Sequence, residues 1–338
     1  MPSPARPPIV DEFGFPQTCP PSRALTTTWA RDTGEGARPR VGRRFLAAGT
    51  AAIRYCEEAV RNTARAEDVT GAEAVRLRID TLKAGYGQRL VVDGVSFTVV
   101  AGRMTALIGP NGSGKSTLLA TMARLLQPMG GTVLLDGRAV HGQPTRALAR
   151  ELGLLPQSPL VPEGLTAYEL VSRGRHPHQG FLSQWSDADD AAVEEAMHLT
   201  GTRDFAATPV AALSGGQRQR CWIAMAMAQQ TSVILLDEPT TFLDLRYQVE
   251  VLDLLARLAR DLGRAVVVVL HDLNMALAYA DTVLCLKDGR IRAVAGEGRS
   301  LAAADVADIF GVEVEALIHP RTGKPVFVPL GVTRGAGT

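Results

Sequence analysis

At 338 residues with 46% hydrophobic content, the chain is long enough for one large domain or two ordinary ones around a real core. It has 36 Lys plus Arg against 35 Asp plus Glu, a formal net charge of +1, and so lacks the bulk basic excess of a dedicated nucleic-acid binder. No apolar run approaches 18 residues, and the N-terminus has early prolines and acids where a secretory signal has an apolar core.

Residues 1–40 hold eight of the 20 prolines and show no apolar periodicity, so residues 1–74 are expected to form a Pro- and Arg-rich, largely disordered leader. Within it, Arg43 to Arg65 is a weak helix candidate through Phe45, Ile53 and Val60. No Met falls between Met1 and Met104, so a valine start codon near Val69 or Val75 is the alternative to a native leader. From Val75 the texture changes. Met104–Ile108 leads into a helix from Lys115, Val233–Leu236 into one from Leu245, and Ala265–Leu270 into one from Leu273. This alternation predicts an α/β domain over 75–330 with a mainly parallel core sheet. Antiparallel pieces flank it: Leu77–Leu82 with Val95–Val99, and Val283–Leu286 with Ile291–Val294 across Asp288-Gly289. Between Ser158 and Ala212 only helical segments appear, which predicts an inserted helical subdomain over about 158–212. A helix near Leu301–Phe310 and a hairpin of Val312–Ile318 with Pro325–Leu330 follow, then a flexible tail over 331–338. The four cysteines are scattered without metal spacing and read as reduced thiols, with Cys221 and Cys285 buried.

Gly109-Pro110-Asn111-Gly112-Ser113-Gly114-Lys115-Ser116 fits G-x-x-x-x-G-K-[ST] between a strand and a helix. Small residues let backbone N–H groups wrap a polyphosphate, and the helix N-terminus adds its positive end. Lys115 would reach the β- and γ-phosphates and Ser116 would ligate Mg²⁺. Lysine occurs only at 83, 115, 287 and 324, which makes the one in this loop conspicuous.

Val233 to Asp237-Glu238-Pro239 is an apolar strand ending in two carboxylates. Neighbouring strand residues point opposite ways, so the acids can divide the work. Asp237 would hold Mg²⁺ through water, and Glu238 would take a proton from the attacking water. Leu213-Ser214-Gly215-Gly216-Gln217 contains a capping box, Ser214 with Gln217. The box does not explain two glycines in a first turn, each costing about 1 kcal/mol relative to Ala. They make sense where a bare helix N-terminus must lie against a phosphate.

These residues resemble the ATP-binding-cassette ATPases, whose signature Leu213–Gln217 matches. The resemblance implies a P-loop NTPase fold with an antiparallel β subdomain and a helical insertion. It places Gln157 at the Q-loop, as a catalytic and Mg²⁺-contacting amide, with Asp244 at the D-loop and His271 as the switch histidine. Thr117 joins Gly109–Ser116 in holding ATP, and Tyr86 matches the aromatic that stacks on adenine. A plain turn tyrosine in Gly85-Tyr86-Gly87 is the other reading of that residue.

In this family ATP is sandwiched between the phosphate loop of one domain and the signature of another. One copy of each motif therefore implies a second ATPase subunit, most simply a homodimer. Two separate integral-membrane permease subunits follow, with an extracytoplasmic substrate-binding protein acting indirectly and no nucleic-acid partner. The segment Ser158–Trp185 corresponds to the permease-facing region, and the location implied is peripheral, on the cytoplasmic face of the plasma membrane. Arg173-Gly174-Arg175-His176-Pro177-His178-Gln179, Trp222-Ile223-Ala224-Met225 and Asp237–Asp244 are similar to the ferric-siderophore importer ATPases of enterobactin and ferrichrome type. Haem and cobalamin importers share most of these features, and a non-transport soluble cassette is the more distant alternative. His176 and His178 lack acidic or Cys company and read as permease-facing or solvated rather than metal-binding.

Overall fold

The structure, a computed structural model, describes residues 74–333 apart from 158, 160–163, 181–184, 242 and 297. The expected leader, its Arg43–Arg65 helix and residues 334–338 of the tail lie outside the described residues.

The core sheet has six strands in the order β10-β9-β3-β8-β7-β6. They are β3 (Met104–Ile108), β6 (Leu152–Leu155), β7 (Val233–Asp237), β8 (Ala265–Val269), β9 (Thr282–Lys287) and β10 (Arg290–Gly296). All neighbours run parallel except β9 and β10, which form a hairpin closed by Asp288 and Gly289 in left-handed conformation. The run Ala-Val-Val-Val-Val makes β8 a central strand, every residue fully buried, because a parallel strand is covered on both faces.

Alternate residues divide the core into two layers. Ala106, Ile108, Val266 and Val268 face α3 (Ala167–Ser172), α4 (Asp187–Leu199), α5 (Gly215–Ala228) and α6 (Leu245–Arg260). Leu107, Val267 and Val269 face the other way. They pack with Leu118 and Leu119 of α1 (Lys115–Met122) and with a four-stranded antiparallel sheet, order β2-β1-β4-β5. That sheet comprises β1 (Val75–Tyr86), β2 (Arg89–Val100), β4 (Gly130–Leu135) and β5 (Arg138–Ala139), and α2 (Thr145–Glu151) leads from it into β6. The helix α1 is thus gripped between two sheets.

The insertion between β6 and β7 contains no strand among the described residues, in keeping with the helical subdomain expected there. Arg175 fastens it: the guanidinium, 5% exposed, donates to Asp189 and to the Ala228 carbonyl, both at 2.8 Å. His176 is exposed, and of the two readings of His178 the solvated one is corrected. Its Nε2 sits 2.8 Å from the Gln229 carbonyl oxygen at the end of α5, half-buried rather than solvated. Cys221 and Cys285 are free and buried. The last described helices are α7 (Leu273–Tyr279) and α8 (Ala303–Phe310), followed by a hairpin of β11 (Val312–Ile318) with β12 (Pro325–Val332). The expected start of the tail at 331 is corrected, since Gly331 pairs with Glu313 and Val332 with Val312. Among the described residues, no helix is long and apolar enough to cross a membrane.

Candidate functional site

Strand register assembles the site. Leu107 on β3 and Asp237 on β7 both pair with Val269, the last residue of β8. The loops leaving β3, β7 and β8 therefore start from one edge of the sheet, where α/β folds hold their ligands. Those loops begin with Gly109, Glu238 and, one residue past Leu270, His271.

Gly109 has φ 151° and Gly114 has φ 102°, regions that side chains rarely enter. A Cβ on Gly109 would lie 2.1 Å from the Leu286 carbonyl oxygen, so no other residue fits that turn. The loop delivers the chain into α1 with Gly114 at the N-cap, where no side chain accepts from the first-turn amides. By contrast α3, α4, α5, α6 and α7 are capped by the side chains of Thr166, Ser186, Ser214, Asp244 and Asp272. The helices α2 and α8, which follow Pro144 and Ala302, share the lack of a side-chain cap but not the glycine loop. The donors opening α1 are left for an external anion. Within the loop, Ser113 Oγ is buried with no hydrogen-bond partner, as befits a cradle built to receive oxygen atoms.

The Lys115 ammonium folds back on its own loop and donates to the carbonyls of Gly109 (2.9 Å) and Pro110 (3.0 Å). Burial holds it below the usual lysine range, against the pull of Glu238 and Asp237. Ser116 Oγ lies 3.4 Å from Asp237 Oδ1. Burial raises the Asp237 carboxyl above its usual range, against the Ser116 hydrogen bond, and the neighbouring Glu238 charge adds to the rise. A hydroxyl and a carboxylate side by side are hard oxygen donors, suited to an Mg²⁺ ion that keeps several of its waters.

Glu238 stands apart from the strand geometry expected of it. The strand ends at Asp237, and Glu238 follows with φ 52°. The two acids are divided by this left-handed residue rather than by simple strand alternation, a local strain of the kind functional sites retain. His271 Nε2 lies 2.6 Å from Glu238 Oε1. The other oxygen accepts from Gln157 Nε2 at 2.5 Å and from Thr241 Oγ1 at 3.2 Å. Thr241 was not singled out in the sequence. Its only signal was its place three residues after Glu238, and the contact depends on the turn that Glu238 makes.

Asn111, Gly112, Gly114, Lys115, Ser116, Thr117, Gln157, Glu238 and His271 together line an open cleft of about 400 Å³, with Val91 of β2 on its rim. Four motifs distant in sequence thus meet at one place. Tyr86 does not border the cleft; it ends β1 at a hairpin tip, paired with Arg89 and 58% exposed. The segment Ser214–Gln217 does not border it either. There the capping box forms, with Ser214 Oγ accepting from Gln217 N at 3.2 Å and Gln217 Oε1 from Ser214 N at 3.0 Å. Among the described residues, a Cβ on Gly215 would meet nothing within 4 Å and one on Gly216 only ordinary contacts, so none of them demands either glycine. Asp244, like Ser214, caps a helix, accepting from Tyr247 N at 3.1 Å.

Against known proteins, a family described as ABC transporter matches residues 92–241. The chain is similar to a protein of Bacillus subtilis described as a probable siderophore transport system ATP-binding protein, with 47% identity over 252 residues, 75% of this chain and 92% of the relative. It is also similar to the ferric enterobactin transport ATP-binding protein of Escherichia coli, with 44% identity over 258 residues, 76% of this chain and 95% of the relative. Among solved structures, the dimeric post-hydrolysis state of an ATP-binding cassette bound to ADP and Pi superposes with a TM-score of 0.59. That match has 28% identity and covers 67% of this chain and all of the other.

Proposed function

The chain belongs to the ABC transporter family, and we propose from that premise that it is the ATP-hydrolysing subunit of an importer for iron–siderophore complexes. The observation that carries the ATPase half is the convergence of the uncapped phosphate loop on a carboxylate held by His271 and Gln157. The cargo half rests on the siderophore and ferric enterobactin relatives, which match nearly their whole length.

In this reading ATP is the substrate. Its phosphates lie in the loop Gly109–Ser116 with Thr117, and Lys115 exchanges its carbonyl partners for β- and γ-phosphate oxygens, a charge-assisted trade. Ser116 and Asp237 would hold Mg²⁺, with the Gln157 amide oxygen beside them. The ion supplies electrostatic stabilisation of phosphate charge. Glu238 accepts the proton of the attacking water at an oxygen, while His271 keeps the carboxylate oriented. Tyr86 offers its ring to the adenine from the exposed hairpin tip. Ser214–Gln217 and Asp244 serve the site of a second copy, which gives the unexplained glycines their use. The segment after Gln157 faces two permease subunits, placing the chain at the cytoplasmic face of the membrane, fed by an extracytoplasmic binding protein.

Uptake tests the cargo. Cells whose only copy carries Lys115→Ala should lose accumulation of radioactive ferric siderophore and keep that of haem and cobalamin. Unchanged siderophore uptake, with haem or cobalamin uptake lost instead, would reassign the cargo and leave the ATPase reading standing.

A further inference from the structure

The helix α7 begins two residues after His271 and is seven residues long, too short to hold in water on its own. Its N-terminus is capped by Asp272, whose Oδ1 accepts from Met275 N at 2.8 Å. Arg260 of α6 donates to the Tyr279 carbonyl at 3.4 Å, and further polar anchors come from the C-terminal hairpin. Asn274 Nδ2 donates to the Phe327 carbonyl at 3.0 Å, and Phe327 N–H donates to Asn274 Oδ1 at 2.8 Å. One side-chain amide thereby pairs with the backbone of β12 as a neighbouring strand would. Lys324 Nζ donates to the carbonyls of Leu277 and Ala278, both at 2.9 Å, and so closes the last turn of α7. A cation at that position also suits the negative end of the helix. Phe327, 3% exposed, fixes this stretch of β12 in the core. The hairpin belongs to neither large sheet and pairs only within itself.

We propose that Asn274 and Lys324 are positioning residues for hydrolysis, through which the C-terminal hairpin holds α7, and with it His271, in place against Glu238. The proposal rests on the roles given to His271 and Glu238 above. Neither Asn274 nor Lys324 lines the nucleotide cleft, so each acts through the backbone that carries the histidine. A displacement of about 1 Å in a group aligned on the reacting atoms costs on the order of a hundredfold in rate, without a matching loss of substrate binding. A hairpin that merely completed the fold would instead alter stability and affinity together.

Single-turnover ATP hydrolysis in a double-variant cycle separates the two. Asn274→Ala is expected to lower the rate at saturating ATP by about ten- to a hundredfold and leave ATP affinity near parental. In a His271→Ala background the same change should cost nothing further, since the group it positions is gone. Lys324→Met should slow hydrolysis and Lys324→Arg restore it. If Asn274→Ala does not fold, Asn274→Asp replaces it in the cycle; it keeps the acceptor for Phe327 N–H, and in place of the donor it sets a carboxylate oxygen against the Phe327 carbonyl. Equal losses in both backgrounds, a parallel fall in ATP affinity, or a parental rate in the single variant would overturn the proposal. A parental rate in His271→Ala alone would overturn the role assigned to that histidine, and the positioning proposal with it.

Discussion

His271 Nε2 lies 2.6 Å from Glu238 Oε1, across the edge where β8 and β7 end. The second oxygen of the same carboxylate is taken by Gln157, whose backbone opens the segment assigned to the permease. One carboxylate thus joins the phosphate site to two separate parts of the fold.

That division predicts how Gln157 behaves. Its amide must leave Glu238 Oε2 before this oxygen can accept a proton from water, so in the isolated subunit it restrains as well as assists. Gln157→Ala should reduce uptake through the permease more than it reduces basal ATP turnover. Paired uptake and phosphate-release assays check this; equal losses would make Gln157 simply another catalytic group.

Lys115→Ala should remove most nucleotide affinity, because the variant lacks the one mobile cation of the phosphate loop. The pH dependence follows from burial. With its pKa lowered, Lys115 loses its proton at a lower pH than an exposed lysine does. Affinity of the parent should therefore be full near neutrality and decline on the alkaline side, earlier than solvent-exposed lysine would allow. Calorimetric titration with ATP across pH 7 to 10 measures it, and a flat profile would count against the assignment.

Gly215→Ala separates folding from function. Among the described residues the added methyl meets nothing within 4 Å, and it removes a glycine from a helix, so the melting temperature should hold or rise. In the composite site the same methyl enters a packed contact, at a cost of about 1–3 kcal/mol. A dimer holds two such contacts, so ATP-dependent dimerisation should weaken by about thirtyfold or more. A variant that melts higher and dimerises normally would leave the glycine without an intermolecular purpose.

The legible part of this molecule is the part whose chemistry is local. Gly109–Ser116 declares itself because a phosphate cradle needs glycine at fixed offsets and a lysine next to them. β8 declares itself because five buried apolar residues in a row fit a central parallel strand. Leu152–Leu155 carries no strand signal of its own: it is four residues long, contains a glycine and lacks β-branched residues, so only its pairing with β7 defines it. The conformation of Glu238 was equally hidden, since nothing in Asp237-Glu238-Pro239 signals φ 52°. The sequence leaves His178 permease-facing or solvated, because its partner, the Gln229 carbonyl, lies 51 residues away at the far end of a helix. The reach of the C-terminal hairpin to Asn274 is a tertiary fact of the same kind.

The composite ATP site is tested most directly by Glu238→Gln, read by light scattering after gel filtration alongside phosphate release. The amide keeps the size of the carboxylate but accepts no proton, so hydrolysis should fall by about two to four orders of magnitude. Lys115, Ser116 and Asp237 are untouched, so ATP should still bind and persist between the phosphate loop of one chain and Ser214 and Gly216 of its partner. The variant is predicted to run as a dimer with ATP and as a monomer with ADP, and Ser214→Arg added to it should abolish the dimer. Parental hydrolysis by Glu238→Gln would place the base elsewhere, and lost hydrolysis with a monomer at saturating ATP would contradict the two-chain site itself.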